Sequence, residues 1–263
     1  MKPLACSIIQ TNLFWENKAR NISMLEEKIR GIKDETQVII LPEMFSTGFS
    51  MHPEKLAESM DGDTVQWMKK IATTQKIILT GSLIIEVNKK FYNRLLWVLP
   101  TGEIMHYDKR HLFAYADEQL HYTSGQERVI VTVNGWRINL QVCYDLRFPA
   151  WARQQVKDHK AEYDVLLYVA NWPERRVHTW KSLLMARAIE NQCYVIGVNR
   201  VGYDGNDIYH CGNSMFIDPV GEVLFEKKRQ ECIETVLLDP ATIENTRKQF
   251  PFLRDADQWQ LYL

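Results

Sequence analysis

What constrains this chain most is a set of short, nearly continuous apolar runs bounded by turn residues: LACSIIQ, VIILP, KIILTGSLII, NRLLWVLP, VIVTV, WRINLQVCY, DVLLYVAN, YVIGVNR, SMFIDP and CIETVLL. Runs of this length, rich in Val, Ile and aromatic residues, are strands. Most are too apolar to turn a face to water, so they belong in sheets covered on both sides. The cover comes from amphipathic helical patterns. Ile22, Leu25, Ile29 and Ile32 share one face, Val65, Met68, Ile71 and Ala72 share another, and HTWKSLLMARAIENQ carries Trp180, Leu183, Leu184 and Ala188. Strands alternating with helices predict an α/β chain. The pair VIVTV and WRINLQV predicts a hairpin on Asn134-Gly135, which makes the sheets mixed. No repeat, low-complexity tract or flexible linker interrupts the 263 residues, so a single domain is expected.

Charge narrows the partners. With 32 basic against 33 acidic residues and a formal net charge of −1, there is no basic footprint for nucleic acid, and a small-molecule partner is expected. No stretch approaches the roughly 18 apolar residues that a membrane span needs. The N-terminal apolar run is too short for a signal-peptide core, so the expected address is the cytoplasm. Five cysteines, an odd number spread along the chain without a CxxC pair, do not form a disulfide framework or a zinc site. Seven scattered histidines include no HExxH, and neither GxGxxG after a strand nor GxxxxGK[ST] occurs, so no metal or cofactor is expected.

Three segments place reactive side chains at strand ends. In VIILPEMFSTGF, a strand buried on both faces delivers Glu43 just past its C-terminal end, where open α/β sheets bind ligands. In INLQVCYDLRFP, another strand presents Cys143 in a turn, and the backbone N–H of Tyr144 after that bend suits an oxyanion. In MHYDKRHLFAYADEQ, a third strand precedes Lys109, with Glu118 nine residues on. Taken alone, each has a bland reading, as a solvated charge or, for Cys143, as a small buried residue, and for Lys109 and Cys143 that reading is the stronger one. Together they supply a nucleophile, a base and a cation at one sheet edge, the minimum for acyl transfer through a thioester. Cys6 and Cys193 lie inside apolar runs and read as core.

The segments PEMFSTGF, YDKRHLF, QVCYDLRFP and ARAIENQCYVIGVNRVG, spread over residues 3–240, closely resemble the signature segments of the nitrilase, or carbon–nitrogen hydrolase, superfamily. That resemblance implies a four-layer αββα sandwich, commonly assembled as dimers, and a Glu–Lys–Cys triad falling on Glu43, Lys109 and Cys143. A second family glutamate falls on Glu118, seven residues before Gly125. The stretches ANWPERRVHTWKSLLMARAIENQ and NRVGYDGNDIYHCGNS look like the omega-amidase branch, which hydrolyses omega-amides of short oxo-dicarboxylic acids such as 2-oxoglutaramate and 2-oxosuccinamate. Resemblance further implies that the tail, residues 245–263, with Phe250, Phe252 and Trp259 and no strong helical period, lies at a homodimer interface.

An omega-amide of an oxo acid carries a distal carboxylate, for which Arg147, Arg175 and Arg176 are candidate partners. Arg147 is equally suited to pairing with Asp145 or Glu174, and Trp172 and Phe45 are open between pocket wall and core. The same triad would serve an N-carbamoyl-amino-acid amidohydrolase or a nitrile hydrolase. A papain-like pair would need His111 or His178 as base, but such enzymes place the nucleophile at a helix start early in the chain. A catalytically silent binding protein on this fold would not need all three triad types at strand ends.

Overall fold

The computed structural model describes residues 1–157, 160–257 and 259–261. Numbered along the chain, its strands are β1 (Leu4–Gln10), β2 (Val38–Ile40), β3 (Ile78–Val87), β4 (Lys90–Val98), β5 (Ile104–Asp108), β6 (Ile130–Val133), β7 (Trp136–Val142), β8 (Val156–Lys157), β9 (Lys160–Ala161), β10 (Val165–Ala170), β11 (Tyr194–Asn199), β12 (Val201–Tyr203), β13 (Tyr209–Ile217), β14 (Val223–Lys228) and β15 (Cys232–Leu238). One sheet runs β15-β1-β2-β3-β4-β5; a second runs β12-β13-β11-β10-β7-β6, with β14 added on β13, and β8 with β9 form a small ribbon. Both large sheets are mixed: β1, β2 and β3 are parallel, as are β7, β10 and β11, and antiparallel strands flank them.

The period-2 alternation of a strand explains how each sheet is covered twice. Cys6, Ile8, Val38 and Ile40 of the first sheet share a core with Ile138, Leu140, Val165, Leu167 and Val169 of the second. Their sequence neighbours Ile9, Ile39 and Leu41 point the other way, onto the helices Lys18–Arg30 and Asp63–Gln75 through Leu25, Ile29, Val65 and Met68. Leu166, Tyr168 and Ala170 likewise meet Trp180, Leu184 and Ala188 of the helix Val177–Asn191. The layers are therefore α, β, β, α, the sandwich that the resemblance implied. Trp97 and Trp136 are fully buried between the sheets, each removing on the order of 200 Å² from water.

The β6–β7 hairpin turns where the Asn-Gly pair predicts, with Asn134 at φ 50° and Gly135 at φ 86°. The β3–β4 hairpin turns on Asn88 and Lys89, both also at positive φ. At the C-terminal end the structure corrects the expectation of an aperiodic tail. Residues 245–249 complete the helix Pro240–Gln249, whose start is set by Asp239 accepting the Ala241 N–H at 2.9 Å and by Pro240 in the first turn. Only Ile243 and Thr246 of that helix are buried, too few to leave a stripe in the sequence. Among the described residues, no helix is long and apolar enough to cross a membrane.

Candidate active site

Glu43, Lys109, Cys143 and Asn171 follow β2, β5, β7 and β10, so the two sheets each contribute chain ends to one place. After β2, the chain Pro42–Gly48 folds against β3: Met44 N–H donates to Ser82 Oγ at 2.8 Å and Phe45 N–H to Ser82 O at 3.2 Å. Met44 takes φ 43° there, and Glu43 is left fully buried. The same bend turns Phe45 inward, so of the two places open to it, pocket wall and core, it takes the core and does not border the cavity. Its ring is fully buried, 6.0 Å from that of Trp67, and occupies the space that a Cβ on Gly81 would need.

Lys109 is held by its own N–H to Asn93 O at 3.0 Å and by Gly125 N–H to its carbonyl at 2.9 Å. Gly125 approaches so closely that a Cβ would lie 2.1 Å from Asp108 O. Asp117, at φ 58°, then starts the short helix Glu118–His121, and Glu118 Oε2 accepts the Phe113 N–H at 2.6 Å. The Lys109 ammonium donates to Glu43 Oε1 at 3.0 Å and to both oxygens of Glu118 at 3.0 and 2.9 Å, and all three side chains are fully buried. Burial alone would lower the Lys109 pKa, but the Glu118 and Glu43 carboxylates outweigh it and raise it, so the ammonium stays charged. Burial, reinforced by the charge of Glu43 and opposed by Lys109, raises Glu118.

Cys143 opens a 3₁₀ turn, Cys143–Arg147, at φ 44°, a conformation that a non-glycine residue holds only when its surroundings impose it. Asp145 imposes it by accepting the Val142 N–H at 3.0 Å. Asp145 also accepts from Tyr107 Oη at 2.8 Å and from His111 N–H at 2.9 Å, and pairs with His111 Nδ1 at 2.8 Å. The thiol pKa is raised well above its ordinary value by burial, by the charge of Glu43 and by a hydrogen bond to Glu43, with Lys109 opposing. At rest Cys143 is thus a thiol beside a carboxylate.

Two further residues complete this centre, and the sequence reading did not single them out. Asn93 Nδ2 donates to Glu43 Oε1 at 2.8 Å, and Asn171 donates its backbone N–H to Glu43 Oε2 at 2.8 Å and its side-chain amide to Glu43 O at 2.6 Å. Their only signal is an amide closing or interrupting an otherwise apolar strand run. Asn199 locks the turn behind, accepting the Trp172 N–H at 2.8 Å and returning a bond to Trp172 O at 2.9 Å.

Cys143 and Asn171 open onto a cavity of about 400 Å³ walled by Phe49, Met51, Phe113, Tyr144 and Trp172. Arg147, Arg175 and Arg176 border it as well. Neither acid suggested for Arg147 takes it: Asp145 is bound as above, and Glu174 pairs with Arg229 at 2.9 Å. His111 and His178 do not line the cavity; His111 is stacked on Phe148 with centroids 3.7 Å apart, and His178 is exposed on its helix. Cys6 and Cys193 are buried, as their apolar runs predict. Among the described residues, no group of three or more His, Cys, Asp or Glu is placed to hold a metal ion.

The carbon–nitrogen hydrolase family model matches residues 6–248. Omega-amidase YafV of Escherichia coli K12 is 41% identical over 263 residues, covering all of both chains. The 2-oxoglutaramate amidase of Bacillus subtilis is 34% identical over 253 residues, covering 95% of this chain and 96% of its own. Among solved structures, a CN-hydrolase superfamily protein of Xanthomonas campestris, with an arsenic adduct in its active site, superposes with a TM-score of 0.97 at 41% identity over the full length of both chains. A match of this extent, on a chain whose two sheets converge on a buried Glu–Lys–Glu cluster beside a cysteine, has one reading: the chain belongs to the carbon–nitrogen hydrolase family.

Proposed function

We propose that the protein is an omega-amidase, hydrolysing the terminal amide of short 2-oxo-dicarboxylic acid monoamides to the oxo acid and ammonia. Full-length relatives named for that activity support the substrate class. The observation that carries the chemistry is the Lys109 ammonium held between Glu43 and Glu118, with the Cys143 thiol beside Glu43.

Glu43 takes the thiol proton as Cys143 Sγ attacks the carboxamide carbon, and the oxyanion is met by Lys109 and the Tyr144 backbone N–H. Collapse of the tetrahedral species breaks the C–N bond, and ammonia leaves with the proton that Glu43 held. Water then adds to the thioester, giving its proton to Glu43, and the acid departs as the thiol is restored. Glu118 keeps Lys109 charged and oriented rather than serving as a second base. A raised thiol pKa suits this order of events, because the proton must go to a neighbouring base at the moment of attack. Tyr144, Trp172, Arg147 and Arg175 would border the substrate, and the reaction needs only water.

The test is ammonia release from 2-oxoglutaramate and 2-oxosuccinamate by the parent and by Cys143→Ala. Turnover by the parent alone supports both activity and nucleophile; equal turnover in the two would discard Cys143. Faster turnover of an N-carbamoyl-amino acid or a simple nitrile would discard the omega-amidase reading. We further propose one domain that pairs as a homodimer in the cytoplasm, with Phe250 and Phe252, both exposed and 5.6 Å apart, at the interface. Phe250→Ser with Phe252→Ser should then sediment as a monomer.

A further inference from the structure

The resting centre leaves Lys109 no free donor. An ammonium has three N–H bonds, and three carboxylate oxygens take them: Glu43 Oε1 at 3.0 Å, Glu118 Oε1 at 3.0 Å and Glu118 Oε2 at 2.9 Å. The same ammonium must donate to the oxygen of the tetrahedral species, so one of these bonds has to be given up. Charge decides which. On taking the thiol proton Glu43 becomes neutral, while Glu118 stays the charged partner, and hydrogen bonds to a charged acceptor are the stronger ones. The N–H given to Glu43 is therefore the one that turns, and it follows the negative charge from the carboxylate to the oxyanion.

That turn would leave Glu43 Oε1 a buried acceptor without a donor, which is costly, but for Asn93. Fully buried in β4, Asn93 donates Nδ2 to Glu43 Oε1 at 2.8 Å and faces Glu118 Oε1 with the same nitrogen at 3.4 Å. Its backbone carbonyl accepts the Lys109 N–H at 3.0 Å, so one residue touches all three members of the cluster. The amide fits only this way round, because the reverse would set its oxygen against two carboxylates. Its grip also decides which oxygen of Glu43 is the base. A carboxylate oxygen has two acceptor sites. Lys109 and Asn93 fill both on Oε1, whereas Oε2 receives the Asn171 N–H at 2.8 Å and keeps one site for the thiol proton.

We propose that Asn93 is a positioning residue for the acylation step: by holding Glu43 Oε1 it frees Lys109 to move one N–H from Glu43 to the oxyanion as the thiol proton reaches Glu43 Oε2. Sγ bonds to the carbonyl carbon, the C=O π pair passes to oxygen, and Lys109 keeps all three protons and only changes acceptor. This deepens the reading above and rests on its chemistry at Cys143, not on which amide is cleaved.

Asn93→Leu keeps the volume and removes the donor, and Asn93→Ala removes the donor where leucine does not fit the fold. With 2-oxoglutaramate, kcat should fall about 30-fold in either and KM stay within about threefold, the loss expected for one buried hydrogen bond missing in the transition state. Alkylation of Cys143 by iodoacetamide displaces iodide and forms no oxyanion, so its rate should stay within about threefold of the parent on the same scale. A misplaced thiol or base would slow both reactions alike. A parallel fall therefore overturns the proposal, and so does a parental kcat. A third measurement needs no amide. Propionaldehyde accepts Cys143 Sγ at its carbonyl carbon, with the thiol proton going to Glu43 and the π pair to oxygen, and having no leaving group it stays as an adduct. It should shield Cys143 from iodoacetamide in the parent and require a concentration about 30-fold higher in the variants. Equal shielding in parent and variant, or none in the parent, overturns the proposal. Shielding that differs as stated, in a protein that leaves 2-oxoglutaramate intact, keeps Asn93 in its role and removes the omega-amidase reading.

Discussion

The carboxylate of Asp145 accepts the backbone N–H of Val142 at 3.0 Å while also accepting that of His111 at 2.9 Å, so one buried side chain ties the Cys143 bend to the loop that carries Lys109. Asp145→Asn keeps the shape but turns an NH₂ toward donors. It should cost about 3 kcal/mol of stability, because buried donors lose their acceptor. A misplaced thiol should also lower kcat/KM by about 100-fold. Thermal unfolding and ammonia release measure the two separately; a lowered melting temperature with parental kcat/KM would confine Asp145 to stability.

Glu118→Gln retains an acceptor for the Phe113 N–H but removes one of the two charges that hold Lys109. A fall in kcat of roughly 100-fold with little change in KM is expected, since the oriented ammonium acts mainly in the transition state. Turnover within a few-fold of the parent, measured under single-turnover conditions, would remove Glu118 from the site.

Glu43→Gln should have opposite effects on two measurements. Burial is the largest cause of the raised Cys143 pKa and the Glu43 charge is the next, so deleting that charge lowers the thiol pKa and increases the thiolate present at pH 8. Iodoacetamide should therefore label Cys143 faster in the variant, while amide turnover falls for want of a base. Slower labelling would contradict the charge relationship between the two residues.

His210 is buried, and burial, with the Arg200 charge adding, lowers its pKa to about 4. A depressed folded-state value means that the unfolded chain takes up the proton first. Stability contributed by neutral His210 is complete above about pH 6.5 and is lost as pH falls toward 4, a span on the order of 3 kcal/mol. Urea midpoints of the parent and His210→Gln at pH 7.5 and 4.5 would check this; the variant should show the smaller acid-induced loss.

Gly125→Ala places a methyl where Asp108 O already sits, at 2.1 Å. Either the loop that carries Lys109 must move or the chain must fold less stably, at a cost of several kcal/mol, about 4 by the usual scale of such clashes. A differential scan should show a large drop in melting temperature, and a parental scan would mean that the loop relaxes freely.

Much of the architecture was legible because strand period and helix period differ, and each element obeyed its own. The strand runs, the three helical stripes and the Asn134-Gly135 turn needed no knowledge of tertiary contacts. Glu43 and Cys143 could be singled out because strand ends are local features. Lys109 could not be recognised from its own neighbours: a lysine among charged residues reads as solvated. Its burial depends on Glu43, 66 residues away, supplying one of its two counter-charges. Phe45 stayed open between wall and core for a related reason, since the φ 43° of Met44, which no residue pattern announces, accompanies the bend that turns it into the core. Asn93 and Asn171 escaped because an amide's importance depends on what it meets across the sheets.

Glu43, Lys109 and Glu118 all precede residue 126, whereas Cys143 and Asn171 follow it, and apart from β15, which the later segment lends to the first sheet beside β1, the division in sequence is also one between the two sheets. Neither segment alone contains a working half. Cleaving the chain between them would give two inert fragments whose activity returns only when the sheets find each other, so reconstitution of ammonia release would report on the proximity of whatever the fragments are fused to.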